Sequence, residues 1–458
     1  MKHRRSEVHR KAHALPELRF EDQALTSFAG LVIFQKFFAR IDLKNRLRRC
    51  FVPGRTRRIF SPGTIFLQLI VHLLLGFREL QDVRYYRDDP LVQRLLGLQR
   101  LPTVATVSRV LKQTQPESVE NLRRFLRTRV LDGLQTFQPA RVTLDFDGSV
   151  QSTQRRAEGT AVGFHQKKKG ARSYYPLFCT VAQTGQVLDV LHRPGNVHDS
   201  QGAQAFILAC IAAVRAVLPH TVIEVRMDSA FFSDEIVHTL DRQEVEFTIS
   251  VPFERFVELK RMIEARRRWD RVDNETSSFE AAWKPQCWDQ RFRFVFLRTR
   301  AKKQQKGPIQ LDLFVPYEYG DEFKVIVTNK TVQAQHVAAF HEGRGSQENV
   351  FGELKSHCHL DYVPVRTLCG NQVYLLAGLF AYNLTRELQM QTTAPVRRTT
   401  AQRACLWVFE KVDTFRKNLL HRAGRLSRPQ GILTLTLSAN PTIKTRLLHI
   451  LDRILAKA

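Results

Sequence analysis

The sequence offers no segment that would place the chain in a membrane. Its longest apolar run, residues 64–77, includes Gln68 and His72 and is too short to cross a bilayer. The basic N-terminus carries no apolar stretch of the kind that a secretory signal needs. We therefore expect residues 64–77 to form a buried helix and the protein to act in the cytoplasm, without a membrane.

Cysteine is also scarce. Seven cysteines are scattered along 458 residues, an odd number that suggests no disulfide framework. This usage predicts reduced, mostly buried thiols in a cytosolic protein. His357, Cys358, His359 and Cys369 lie near one another in the sequence, but their spacing matches no standard zinc site. Ordinary buried side chains therefore explain this group better than a structural metal does.

Negative charge is the third shortage. Lysine and arginine number 71 against 44 acidic residues, and the formal net charge is +27 at pH 7. The excess is spread along the chain rather than gathered in one tail, which favours a polyanionic partner and most simply nucleic acid. An anionic membrane would also suit this charge, but no stretch of the sequence supports it.

The apolar pattern, in contrast, is rich enough for a globular protein of two or three domains, with 43% hydrophobic residues. Apolar residues recur at helical spacing up to about residue 137, and strand and helix patterns then alternate as in an α/β sheet of mixed direction. These changes predict five regions: a helical DNA-binding or accessory region (1–137), the first part of the α/β core (138–251), a β-rich insertion (252–330), the last core helices (331–390) and a basic C-terminal region (391–458).

Two predicted strands end in acidic residues. Asp147 closes the strand pattern of residues 142–147, and Asp228 closes that of residues 222–228. The carboxyl ends of strands are where open α/β sheets place their active sites. Asp145 shares a strand face with Asp147, because side chains alternate with period two. A buried polar strand end would explain one such aspartate equally well, but it explains two less readily.

A third carboxylate lies in the segment HEGRGSQENVFGELK, residues 341–355. At about 100° per residue, a helix would place His341, Arg344, Glu348 and Lys355 within an arc of about 60°. A solvated face with weak ion pairs is the simpler interpretation. The alternative is a catalytic face. Carboxylates suit hard divalent cations, and two Mg²⁺ ions can activate the attacking oxygen and stabilise the leaving oxygen of a phosphodiester.

The order and spacing of these four residues resemble the Tyr-Arg-Glu-Lys signature of DDE insertion-sequence transposases, in the insertion-sequence-four-like clan and its thirteen-eighty-like branch. Four other stretches match in order: 144–149, 167–177, 193–200 and 226–232. His341 stands where the family usually has Tyr, although a histidine can still donate to a phosphate.

The resemblance implies an RNase H-like catalytic core with a mixed five-stranded sheet, interrupted by the β-rich insertion between the second Asp and the Glu. Carried over by position, the catalytic and metal-binding residues are Asp147, Asp228 and Glu348. They would hold two Mg²⁺ ions, for which Mn²⁺ can substitute. The implied DNA-binding residues are His341, Arg344 and Lys355.

The same resemblance suggests roles for a basic loop and for the tryptophans of the insertion. Lys167, Lys168, Lys169 and Arg172 lie on a predicted loop, where they would contact the DNA backbone; a solvated charge run is the alternative. The three tryptophans of the insertion are Trp269, Trp283 and Trp288. One of them could stack on a flipped base, or all three could pack the core of the insertion.

The function implied is cut-and-paste transposition of an insertion sequence, through a hairpin intermediate. We expect a homodimer that binds terminal inverted repeats and target DNA, in the bacterial cytoplasm and associated with the nucleoid. Two alternatives stay open from the sequence. One is an RNase H-like DNA nuclease without strand transfer, and the other is an inactive DNA-binding relic of a transposase.

Overall fold

The computed structural model describes residues 16–21, 23–53, 59–163, 170–197, 201–300 and 321–456. The helices are α1 (Leu31–Arg40), α2 (Leu43–Cys50), α3 (Pro62–Leu74), α4 (Pro90–Leu96), α5 (Val104–Lys112), α6 (Pro116–Phe137), α7 (Ala203–Val217), α8 (Asp234–Arg242), α9 (Val257–Ala265), α10 (Ala334–Glu342), α11 (Ser346–His357), α12 (Leu368–Thr392), α13 (Val412–Phe415) and α14 (Pro441–Ala456).

The strands are β1 (Leu25–Thr26), β2 (Arg141–Gly148), β3 (Gln151–Thr153), β4 (Ala161–Val162), β5 (Arg172–Tyr174), β6 (Leu177–Val181), β7 (Gln186–Leu191), β8 (Val222–Met227), β9 (Glu246–Val251), β10 (Asp270–Arg271), β11 (Thr276–Trp283), β12 (Phe292–Arg300), β13 (Asp321–Thr328), β14 (Gly424–Ser427) and β15 (Thr434–Leu437). They form one nine-stranded sheet and two small three-stranded sheets, of order β3-β5-β4 and β1-β14-β15.

The large sheet is mixed in direction. Its first five strands in space run in the order β7-β6-β2-β8-β9. β2, β8 and β9 are parallel to one another, whereas β6 and β7 are antiparallel to their neighbours. The α/β architecture predicted from the sequence is therefore present, with a large mixed sheet surrounded by many helices.

The insertion continues this sheet instead of forming a separate one. β13 pairs antiparallel with β9, and β12, β11 and β10 follow in turn. The region also contains α9, so it is not purely β. The insertion thus joins the core through main-chain hydrogen bonds, and its strands share both faces with the core strands.

The two faces of the central strands differ in chemistry because apolar and polar residues alternate. On one face, Leu144, Val225 and Phe247 pack in an apolar cluster with side chains of α7 and α8. The opposite face carries buried polar side chains, among them Asp145 and Arg226. Helix α10 covers this polar face.

Helix α3 is the buried helix expected from the apolar run. It begins at Ser61, whose hydroxyl accepts a hydrogen bond from the backbone N–H of Thr64 at 3.2 Å, and Pro62 occupies its first turn. Every residue from Gly63 to Leu74 is buried. No helix in the described part of the chain is long and apolar enough to cross a membrane.

The first helices and the end of the chain share one hydrophobic core. Helix α3 packs against α12, and the same cluster includes side chains of α1, α6 and α11. Leu447, Ile450 and Ile454 of α14 complete it from the C-terminal side. The N-terminal helices therefore depend on residues more than 300 positions later for their packing.

Candidate active site

The strand register places the two candidate aspartates side by side. β2 and β8 are parallel, and Asp145 pairs with Arg226. Two residues further on, this register brings Asp147 opposite Asp228, on neighbouring strands about 5 Å apart. Because both strands end here, the two residues lie at the same edge of the sheet. The side chain of Asp228 also accepts a hydrogen bond from the N–H of Ala230 at 3.0 Å.

Arg344 connects the helices to this edge. It lies in the short 3₁₀ helix Gly343–Gly345 between α10 and α11, and its Nη1 is 3.2 Å from Oδ2 of Asp147. Gln347 adds a second connection, since its Nε2 donates to the backbone carbonyl of Asp145 at 3.0 Å. These two contacts hold the start of α11 over the end of β2.

Glu348 follows the buried Gln347 directly and is exposed on α11. Lys355 is half-buried two turns later on the same helix. The structure therefore brings Arg344 onto Asp147, and it places Glu348 on the accessible surface of the helix that Arg344 and Gln347 fix.

The segment 341–355 is not one regular helix. Helix α10 ends at Glu342, the 3₁₀ turn Gly343–Gly345 follows, and α11 begins at Ser346. His341 is only 1% exposed, and its ring nitrogens lie 3.0 Å from Oγ1 of Thr248 and 2.8 Å from Oγ of Ser250. The expectation that His341 contacts a phosphate does not fit this position.

Burial also fixes the charge of His341. Loss of water is the main cause that lowers its pKa well below the ordinary value, and the cations Lys324, Arg344 and Arg226 lower it further. The imidazole is therefore neutral at physiological pH. It is a packing residue that joins α10 to β9.

Asp145 forms a buried ion pair with Arg226, whereas Asp147 does not. Its two carboxylate oxygens accept from Arg226, at 2.6 Å from Nε and 2.8 Å from Nη2. Arg226 is fully buried and also donates from Nη1 to the carbonyls of Phe340 and Gln402, at 3.0 and 2.7 Å. Asp145 is thus engaged in a buried ion pair, which leaves Asp147 as the acid of β2 at the accessible edge.

The donor types at this edge fit a hard cation, because carboxylate oxygens are the ligands that Mg²⁺ prefers. Within the described ranges, however, no three His, Cys, Asp or Glu side chains converge closely enough to hold a metal ion. Asp147 and Asp228 are adjacent by register, and Glu348 is exposed on α11.

The remaining predicted residues are spread around this edge. Lys167, Lys168 and Lys169 lie outside the described residues. Arg172, on β5, donates from Nε to Oγ1 of Thr160 at 3.0 Å and also bonds the Thr160 carbonyl. It therefore supports the small sheet that follows β2.

The tryptophans of the insertion pack in an aromatic cluster. Trp288 is 3% exposed and lies 5.0 Å from the ring of Phe232. Trp269 and Trp283 are half-buried against phenylalanines, at 4.7 Å from Phe279 and 5.1 Å from Phe294. Burial excludes Trp288 from stacking on a base in this arrangement, and it leaves part of the other two indoles accessible.

Sequence reasoning missed the Asp145–Arg226 pair, although a signal was present. Asp145 lies two residues before Asp147, Arg226 lies two residues before Asp228, and the charges of Asp145 and Arg226 are opposite. Side chains two residues apart share a strand face, so neighbouring parallel strands would place these charges in contact. Lys324 of β13 was also missed, because only the pairing of β13 with β9 brings it near the site.

A family model described as transposase DDE domain group 1 matches residues 10–458. No curated protein matches the chain. Among solved structures, the piggyBac transposase synaptic complex with hairpin DNA is similar at 11% identity and a TM-score of 0.41, over 93% of this chain and 85% of that chain. The Mos1 transposase paired-end complex with the left transposon end is similar at 12% identity and a TM-score of 0.18, over 43% and 60%.

Proposed function

The chain belongs to the DDE transposase domain family, and from this premise we propose that it moves an insertion sequence by cut-and-paste transposition. The proposal places it in the insertion-sequence-four-like clan, thirteen-eighty-like branch, with the Tyr-Arg-Glu-Lys signature carried by residues 341–355. The net charge of +27 suits a protein that binds terminal inverted repeats and target DNA. It would act as a homodimer in the bacterial cytoplasm, on the nucleoid.

We assign the strands β7-β6-β2-β8-β9 to an RNase H-like core. The order of these five strands and their directions support the assignment. The region boundaries predicted from the sequence keep their place in this proposal, with the insertion of residues 252–330 extending the core sheet.

Asp147, Asp228 and Glu348 are the proposed metal ligands, and the position of the two aspartates at one edge of the sheet carries the proposal. Two Mg²⁺ ions bound there, or Mn²⁺ in their place, would polarise the scissile phosphate and activate the attacking oxygen. Arg344 now neutralises Asp147; with DNA bound, its guanidinium would be free, and Arg344 and Lys355 would hold DNA phosphates.

Every chemical step would be an in-line displacement at phosphorus. Water attacks the first phosphodiester, loses its proton to solvent, and releases a 3′-hydroxyl at the element end. This hydroxyl attacks the opposite strand and displaces the oxygen of the neighbouring nucleotide, which gives a hairpin. Water reopens the hairpin and regenerates the 3′-hydroxyl, which then attacks a target phosphodiester and displaces the 3′-oxygen of the target strand. One site can serve all these steps, and no covalent bond between protein and DNA is needed.

The position of His341 bears on the alternative of an inactive relic. Its departure from the usual tyrosine would weaken a phosphate contact only if the side chain faced the DNA. Here the imidazole is buried against β9, so the departure does not argue for lost activity.

The test uses a labelled duplex that carries the element's own terminal repeat, incubated with Mg²⁺ or Mn²⁺. The wild type should give nicked and hairpin products, and Asp228→Asn and Glu348→Ala should remove both. Glu235→Ala, at an exposed glutamate of α8, is the matched control and should cleave normally. Cleavage without joining to target DNA would favour the nuclease, and binding without any cleavage by the wild type would favour the relic.

A further inference from the structure

Strand β13 brings a lysine of the insertion to the face of the sheet that carries the candidate site. Ile326 pairs with Ser250 of β9 and packs in a cluster with Val337 and Ala338 of α10. Lys324 lies two residues before Ile326, so strand alternation puts it on the same face. Because β13 and β9 are antiparallel, Lys324 is at the carboxyl end of β9.

The same registers give its distance from the candidate ligands. Met227 of β8 pairs with Ile249 of β9, so Ser250 lies beside Asp228 when that pairing is extended by one residue. Lys324 is two strands and two residues away from Asp228, a Cα separation of about 12 Å. A lysine side chain spans about half of this distance. Its ammonium can therefore reach a phosphate that lies one or two nucleotides along the strand from the phosphate held at the aspartates.

The surroundings of Lys324 are positive. Loss of water around the ammonium lowers the pKa of Lys324, and Arg344 lowers it further, although Glu342 acts in the opposite direction. The residue is exposed on β13, and Glu342 is the acidic group that acts on its ammonium. Lys324 and Arg344 act on one another electrostatically, and a phosphate could bind both cations once Arg344 leaves Asp147.

We propose that Lys324 and Arg344 form a second phosphate-binding position, which holds a DNA phosphodiester next to the one that is cleaved. The inference rests on the proposed function, because it assumes that DNA enters at the edge of Asp147 and Asp228. It gives the insertion a direct part in substrate binding, through a strand that is continuous with the core sheet. Lys324 is a positioning residue here, since the reacting phosphate lies at the aspartates.

The experiment measures binding of full-length protein to the terminal-repeat duplex without divalent cations, at several salt concentrations. Lys324→Gln should weaken binding about three- to tenfold at 0.1 M salt, and it should lower the slope of log affinity against log salt by about 0.9, the value for one phosphate contact. Lys324→Arg should keep both quantities close to the wild type.

Glu322→Gln is the matched control, because Glu322 is exposed on the same face of the same strand and changes the net charge by the same amount. If only the net charge of the protein mattered, Glu322→Gln would raise the affinity for DNA by the same factor by which Lys324→Gln lowers it. A direct contact predicts a changed slope for Lys324→Gln alone.

Cleavage with Mg²⁺ separates the two proposals. If the wild type cleaves and Lys324→Gln keeps the wild-type affinity and salt slope, the assignment of Lys324 is wrong and the transposase function stands. If the wild type neither binds nor cleaves the duplex, the proposed function itself has failed, and the role of Lys324 fails with it.

Discussion

The buried pair of Asp145 and Arg226 gives the sharpest test of how the site is supported. Replacing Arg226 with Met leaves the Asp145 carboxylate buried without its partner, which costs about 3–5 kcal/mol. The carbonyls of Phe340 and Gln402 also lose their donor, at about 1–3 kcal/mol each. We therefore expect Arg226→Met to lose at least about 4 kcal/mol of unfolding free energy.

The double variant Arg226→Met with Asp145→Leu should be more stable than Arg226→Met alone. Removing the carboxylate abolishes the cost of an unpaired buried charge, so only the two carbonyls remain without a donor. The coupling energy between the two substitutions should reach about 2–3 kcal/mol, as for residues in direct contact.

Urea unfolding followed by far-UV circular dichroism measures these differences, with refolding checked for each variant. Arg78 and Asp361 supply the control, an ion pair at 2.9 Å whose side chains are 45% and 46% exposed. Arg78→Met should cost less than about 1 kcal/mol. Additive losses in the double variant, equal to the sum of the two single losses, would refute the role of Arg226 as the counter-charge of Asp145.

Three further predictions follow from the same structure. His72 and His192 are buried, which lowers the pKa of each to about 3. Unfolded histidine titrates near 6.5, so below that pH the unfolded state binds more protons than the folded state. The free energy of unfolding should therefore fall by about 1.4 kcal/mol per pH unit for each histidine as the pH drops below 6.5. Urea midpoints that stay constant between pH 7.5 and 5.5 would contradict this. Trp288→Ala should cost about 3–5 kcal/mol by urea unfolding, because the indole is buried. Gly343→Ala should lower both the melting temperature and DNA cleavage, because its Cβ would lie 1.9 Å from the Gln402 carbonyl, whereas Gly345→Ala meets nothing within 4 Å and should melt like the wild type.

The alternation of apolar and polar residues predicted where the core strands lie, but it did not predict how the strands pair. The patterns of residues 142–147 and 222–228 indicated strands, and β2 and β8 confirm both. The pairing of β13 with β9 joins residues about 80 positions apart, and no local signal fixes it. For this reason the sequence indicated a β-rich insertion but not its continuity with the core sheet.

The helical arc of residues 341–355 failed for a different reason. It assumed one continuous helix, whereas the turn Gly343–Gly345 divides the segment, and His341 is buried while Glu348 is exposed. The same turn points Arg344 at Asp147 while His341 packs inwards. A histidine between polar strand residues and a helix looks the same in sequence as one that faces solvent, so only the fold separates the two.

The shared core of α3 and α12 has a consequence for how the chain is made. Helix α12 begins at Leu368, 294 residues after α3 ends at Leu74. At about 5–20 residues per second, the ribosome needs about 15–60 s to cover that distance. During this interval α3 can pack against α2, but the surface that α12 will cover stays exposed, so the nascent chain depends on chaperones or on temporary contacts. The core of the N-terminal region is therefore completed only after α12 has been made, and a protein truncated before α12 should expose this apolar surface and aggregate.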